Sequence, residues 1–290
     1  MHAYLIMAHN DFLILEKTLL MLDDQNNDFY IHIDKKVKKF DFDHFRNLLK
    51  YSRIYFIKRR DVQWGSYNII RTEMDLFKAA YKKQYDVYHL MSGSDMPIVG
   101  KDYIKSFFDG HKDIEFIDIM KGEKLSNLND RTERFRYYHF FNNYGINKFG
   151  MRRLDNLFVK IQKKIGIDRY KNQFEYSFGS EWVSLSNNGV AILIKNDKWI
   201  KKHFKHTHCC DEIYKQTVLM NEDLNFYQGS TPNVRFIKWG KNDDLCHPSI
   251  LRVSDYDSMV ESGCMFARKF SSQVDNEVVE ILSKECGKRL

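Results

Sequence analysis

The stretch "RIYFIKRRDVQWGSYNIIRTEMDLFKAAYKKQYDVYHLMSGSDMPI", residues 53–98, decides the fold. It opens on a β-rich run at 53–58 and closes on a second at 86–92, "DVYHLMS". Between them Ile70, Met74, Phe77 and Tyr81 recur at helical spacing, which predicts a helix over 68–83 with one apolar face. Strand, helix and strand in this order predict a βαβ unit: two parallel strands with the helix laid across the sheet. "SGSDMP" (92–97) supplies the turn that follows.

The same rhythm extends upstream. "YLIMAH" (4–9) is a short apolar run, "FLILEKTLLML" (12–22) has helical spacing, and "FYIHID" (29–34) is β-rich and ends on Asp34. The expectation is an α/β fold with a mostly parallel central sheet, a Rossmann-like N-terminal half and helices on both faces. In such sheets ligands bind beyond the carboxyl ends of the strands, where His9, Asp34 and the 92–97 loop fall. Neither G-x-G-x-x-G nor a Walker A motif occurs, so a dinucleotide or ATP P-loop reading has little support.

Downstream the pattern loosens. "IEFIDI" (114–119), "EWVSLS" (181–186) and "VRFIKW" (234–239) read as strands. Residues 120–147, with "RTERFRYYHFFNNY" inside, have little periodicity and read as a long loop lining a cleft. In the basic stretch 148–171, Leu154, Leu157, Phe158, Ile161 and Ile165 recur at helical spacing; one face is expected to pack while the other carries positive charge. Such a helix could also rest on anionic lipid.

The 290 residues carry 43% hydrophobic, 15% aromatic and 29% charged residues, with three prolines and no Gly/Ser/Pro-rich linker. One continuous domain over 1–290 is expected, with a nucleotide-binding half (1–119) and an acceptor-binding, catalytic half (120–290). The net charge of +7 admits nucleic acid, a membrane surface or a phosphorylated ligand as partner. No recognisable nucleic-acid module accompanies it, so no nucleic-acid partner is expected. Five cysteines, with no C-x-x-C, argue against a disulfide framework and a structural zinc. The apolar run at 4–8 is too short for a signal peptide or a span, and a cytoplasmic setting is the expectation.

Two clusters could carry chemistry. Asp211 and Glu212 are adjacent acids at the start of a predicted helix, where one could cap and the other act as a general base. Arg268 and Lys269 lie between Phe266 and Phe270; either their stems pack while their heads reach water, or an anion arrives there. D-x-D, a common metal-holding pair, occurs as "DFD" (41–43) and "DYD" (255–257), neither at the end of a convincing buried strand.

At these residues the chain resembles the core-2/I-branching β-1,6-N-acetylglucosaminyltransferases and the related xylosyltransferases, glycosyltransferase family 14. The resemblance runs in order from about residue 3 to 270 through "AYLIMAHND", "FYIHIDKK", "VQWGSYNIIRTEMDLFKAA", "YDVYHLMSGSDMPI", "FGSEWVSLS", "DE", "RFIKW" and "FARKF". It implies a GT-A-like fold and an inverting, metal-independent transfer from a UDP-sugar. By the same resemblance Glu212 is the base, and Lys269, with Arg268, meets the diphosphate. His9, Asp34, Trp64 and Asp95 fall on the donor side, Trp239 and Glu181 on the acceptor side. The expected donor sugar is N-acetylglucosamine or xylose, the acceptor a glycan or lipid-linked oligosaccharide, and the setting bacterial surface polysaccharide synthesis at the inner face of the membrane. No cofactor is expected. Arg252 is the nearest counterpart of a second family cation. A D-x-D metal-dependent transferase and a non-catalytic sugar-nucleotide-binding protein remain the alternatives.

Overall fold

The computed structural model describes residues 1–120, 132–146, 148–170, 174–240 and 248–285. The first half runs β1 (His2–Ala8), α1 (Phe12–Met21), β2 (Asn27–Ile33), α2 (Phe42–Arg46), β3 (Arg53–Phe56), α3 (Tyr67–Tyr81), β4 (Val87–Ser92), β5 (Met96–Pro97) and α4 (Lys101–Asp109). The remainder contains β6 (Ile114–Glu115), α5 (Glu133–Arg136), α6 (Met151–Lys164), β7 (Ser184–Ser186), α7 (Asn187–Lys195), α8 (Asp197–Phe204) and α9 (Tyr214–Leu219). It closes with β8 (Asn225–Phe226), β9 (Arg235–Ile237), α10 (Tyr256–Glu261), β10 (Phe266–Arg268) and α11 (Asn276–Glu285).

The central sheet has the order β3-β2-β1-β4-β7. Its first four strands are parallel, and β7 joins β4 antiparallel at the edge. Strand β1 is an unbroken apolar run because both of its faces are covered. Tyr4, Ile6 and Ala8 face one core with Leu15 and Leu19 of α1, Phe45 of α2 and Phe108 of α4. Ala3 and Leu5 face the other, with Met74 and Phe77 of α3, Leu193 of α7 and Leu219 of α9. Helices therefore lie on both faces, as the βαβ rhythm requires. A smaller sheet, β5-β10-β9, sets β10 antiparallel to β5 and parallel to β9, and so docks "FARKF" against the "SGSDMP" turn.

Several expectations change. The strand at 114–119 shortens to β6, with Phe116 exchanging backbone bonds with Ser184, and the strand at 181–186 shortens to β7. Within 120–147, residues 121–131 and 147 lie outside the described residues; the rest folds into α5 and a 3₁₀ turn at Phe140–Tyr144 rather than a plain loop. Phe135 is buried in the core there, which is why this aromatic-rich segment orders.

Helix α6 forms where expected but is rotated. Its buried residues are Asp155, Val159 and Gln162. Leu154, Leu157, Ile161 and Ile165 are 49, 55, 47 and 64% exposed. Polar bonds fix this orientation: the Asp155 carboxylate meets His139 Nδ1 at 2.6 Å, and Gln162 accepts from the Tyr138 amide at 2.8 Å while donating to its carbonyl at 2.9 Å. Turning the apolar face inward would carry Asp155 and Gln162 out to water and strip the buried His139 ring and the Tyr138 backbone of these partners.

Candidate active site

Three strand ends converge on one corner. Asp34, just past β2, donates its amide to the Ala8 carbonyl at 2.9 Å, beside His9. Its carboxylate is 4% exposed and accepts from the amides of Lys36 at 2.8 Å and Val62 at 3.2 Å, so it fixes the turn as well as lining the corner. His9 is exposed, and its imidazole titrates below the ordinary range: partial desolvation lowers it, Lys36 and Lys269 add to this, and Asp34 opposes. His9, Asp34 and Lys269 thus share one electrostatic neighbourhood.

The two adjacent cations divide. Arg268, on β10, is pinned inside: its guanidinium lies 4.2 Å over the Trp182 ring, and Nε is 3.7 Å from Asp95 Oδ1. Asp95 is 3% exposed and also accepts from the Ser92 amide at 2.9 Å and the Ser92 hydroxyl at 2.6 Å. Asp95 therefore orients Arg268 and the "SGSD" turn. Lys269 is half-buried and held by its backbone: its carbonyl accepts from Leu251, and the next amide, Phe270, donates to Ser94 at 2.9 Å. Its ammonium acts on His9.

The candidate base lies on a 3₁₀ turn, Cys210–Glu212, just before α9. Neither carboxylate caps that helix, contrary to the expectation for the pair. The Glu212 side chain is 38% exposed and accepts from Arg134 at 2.8 Å. Asp211 is buried, and its carboxyl is pushed up to about 7 by desolvation, with Glu212 and Glu73 adding. Glu181 is raised well above the carboxylate range by desolvation first, then Asp211 and Glu73, against Lys215 and Arg268. Glu181 is therefore the acid within electrostatic reach of both the Arg268 side and the Asp211–Glu212 side.

Beneath the turn lies a buried network that sequence reasoning missed. Glu73 of α3 and Lys215 of α9 are each 0% exposed and pair at 2.7 Å; the Tyr214 hydroxyl donates to the same Glu73 oxygen at 2.6 Å. Lys215 also donates to the Asp211 carbonyl at 3.0 Å, which ties the turn to α3. The signal was present: Glu73 interrupts the apolar stripe of α3 between Ile70 and Phe77, and Lys215 stands between Tyr214 and Val218. Arg134 and Arg235 were missed as well. Arg235 is buried and donates to the carbonyls of Leu90 and Val183, joining β9 to the strands beside it.

Trp64 is 41% exposed and meets the His208 ring edge-on at 5.4 Å, four residues from Glu212. The following Gly65 has φ of +70, and a Cβ there would stand 2.7 Å from the His208 ring and 2.8 Å from Cys209 Sγ. Only glycine lets the "WGS" turn close on "HCC". Trp239 is 49% exposed, two residues past Ile237, the strand partner of Arg268. Arg252 is exposed, next to Leu251, whose amide bonds Lys269. Asp41 caps α2 and Asp43 pairs with Arg46; Asp255 is buried against Lys238. No group of three or more His, Cys, Asp or Glu suited to a metal occurs among the described residues.

The family model for the core-2/I-branching enzyme matches residues 2–260. The chain belongs to that family. Membership agrees with the motif order that led to this corner of the fold. A relative from Arabidopsis thaliana, beta-glucuronosyltransferase GlcAT14A, is 24% identical over 287 residues, 92% of this chain and 60% of its own length. A relative from Mus musculus, beta-1,3-galactosyl-O-glycosyl-glycoprotein beta-1,6-N-acetylglucosaminyltransferase 4, is 21% identical over 322 residues, covering 98% of this chain and 65% of its own length. The chain thus spans less than two thirds of these family members. Among solved structures, mouse xyloside xylosyltransferase 1 covers 92% of this chain at 11% identity and a TM-score of 0.39, a likeness too loose to bear on function.

Proposed function

We propose that this chain is an inverting glycosyltransferase that moves a sugar from a UDP-sugar to a hydroxyl of a glycan acceptor without a metal. The observation that carries the reading is Glu212: a side chain left partly exposed and held by Arg134 at 2.8 Å, next to the buried Asp211. The acceptor O–H bond breaks as its proton passes to Glu212; the oxygen forms the new bond to the anomeric carbon, and the bond from that carbon to the diphosphate breaks on the opposite face. Lys269, with Arg268 behind it, offsets charge on the departing UDP. Asp41, Asp43 and Asp255 of the two D-x-D stretches already serve as a cap and as ion-pair partners, which favours fixed cations for that task over a bound divalent ion. N-acetylglucosamine is the first donor to try, with glucuronic acid and xylose next. A lipid-linked oligosaccharide on the cytoplasmic face is the acceptor we favour.

The test is turnover and UDP calorimetry, both in EDTA. Glu212→Gln should abolish transfer while leaving UDP affinity within about twofold, and Lys269→Ala should weaken UDP by about tenfold or more, the value of a charge-assisted contact. An active Glu212→Gln enzyme refutes the base assignment. UDP binding that needs a metal refutes the metal-free donor site.

A further inference from the structure

Helix α6 presents an apolar stripe to solvent. Leu154, Leu157, Ile161 and Ile165 are each about half exposed or more, and Phe149, just before the helix, is fully exposed. A contiguous exposed patch of this kind marks an interaction surface. The flank of the stripe is basic: Arg153, Lys160 and Lys164 are exposed and fall beside it on the helix, with Lys148 and Lys163 nearby. Between residues 148 and 167 the chain has one carboxylate, Asp155, and that one is turned inward against His139. Glu133 is taken by Lys163, and Asp168 by Arg136.

We infer that α6 docks the protein on an anionic lipid surface, with Leu154, Leu157, Ile161 and Ile165 inserted at the headgroup boundary and the flanking cations against lipid phosphates. A helix with a large apolar face, a lysine- and arginine-rich border and low overall hydrophobicity has this behaviour. The helix lies on the bilayer rather than crossing it: it has 14 residues, and no described helix is long and apolar enough to span. Charge decides against a second copy as the occupant, since a twofold contact would set the same cations against themselves. The polar bonds from Asp155 and Gln162 hold the stripe outward in the free protein, so no refolding precedes docking. The surface also adjoins the proposed active site. Asp155 grips His139, whose other ring nitrogen meets the carbonyl of Glu133 at 3.1 Å, next in sequence to Arg134, the partner of Glu212. Docking would therefore bring the acceptor side near the bilayer; this last consequence rests on the proposed transferase reading, the docking itself does not.

The experiment is co-sedimentation of the full chain with phosphatidylcholine vesicles, with and without phosphatidylglycerol. Binding to the anionic vesicles only is expected. Leu157→Glu/Ile161→Glu should abolish it without changing the melting temperature. Lys160→Ala/Lys164→Ala should weaken it by about 25-fold, at about fivefold per cation near the surface. The inference is overturned by failure to bind anionic vesicles, or by binding that both double variants leave intact. It is equally overturned by a concentration-dependent dimer that Leu157→Glu/Ile161→Glu dissolves, because the face would then be a contact between copies. UDP affinity, measured in parallel, separates failure of docking from failure of the transferase reading.

Discussion

Replacing Lys215 by methionine tests the support beneath the site. Lys215 and Glu73 are each 0% exposed and 2.7 Å apart, so removing the cation leaves a carboxylate with the Tyr214 hydroxyl as its remaining donor. Glu73 Oε1 already lacks a partner, which leaves no spare donor to compensate. Breaking such a buried pair costs about 3–5 kcal/mol, a large part of the roughly 5–15 kcal/mol that holds a domain together. The melting temperature should fall by roughly 10 °C. Adding Glu73→Gln removes the stranded charge and should return most of the loss, to within about 2 kcal/mol of the native chain. The deficit of Lys215→Met should also grow with pH, because an unpaired buried carboxylate is tolerated best while protonated. Thermal melts of the native chain, the single and the double variant at pH 5 and pH 8 provide the cycle. A single variant within about 1 kcal/mol of native, or a double variant no more stable than the single, would refute the account.

Two further outcomes follow from the same neighbourhood. The Asp211 carboxyl is raised from 3.8 to about 7, so the folded chain keeps a proton that the unfolded chain has released, and this group's contribution falls as pH rises between those values. Asp211→Asn should therefore gain stability relative to the native chain as pH goes from 5 to 8; melting curves that fall in parallel would sink the assignment. Gly65→Ala places a Cβ at positive φ and within 2.8 Å of His208 and Cys209, at an expected cost of about 2–4 kcal/mol in urea unfolding. A neutral Gly65→Ala would mean that the "WGS" turn can open away from the Glu212 segment.

The mostly parallel α/β core was legible because β1, β2 and β4 lie in short β-rich runs and α3 carries an apolar stripe at helical spacing. Local pattern and global fold agree there, so the reading held. It weakened where elements are short: β6 and β7 depend on pairing with distant segments, such as the exchange between Phe116 and Ser184, which no local window contains. At the site, motif order identified His9, Asp34, Glu212, Arg268 and Lys269 as candidates, but not how they divide the work. Arg134 looked like one basic residue among many until the fold set it 2.8 Å from Glu212.

The sequence by itself determined the parallel α/β core and the family, because both are written in local periodicity and in the order of short motifs. The tertiary structure decided which of two adjacent cations packs against Trp182 and Asp95, which of two adjacent acids stays partly exposed, and which face of α6 meets solvent. Those choices depend on desolvation and on partners from other elements: Trp182 and Asp95 for Arg268, Arg134 for Glu212, His139 and Tyr138 for α6. Helical spacing places an apolar stripe on one side of a cylinder, but only the bonds from Asp155 and Gln162 fix which side turns inward.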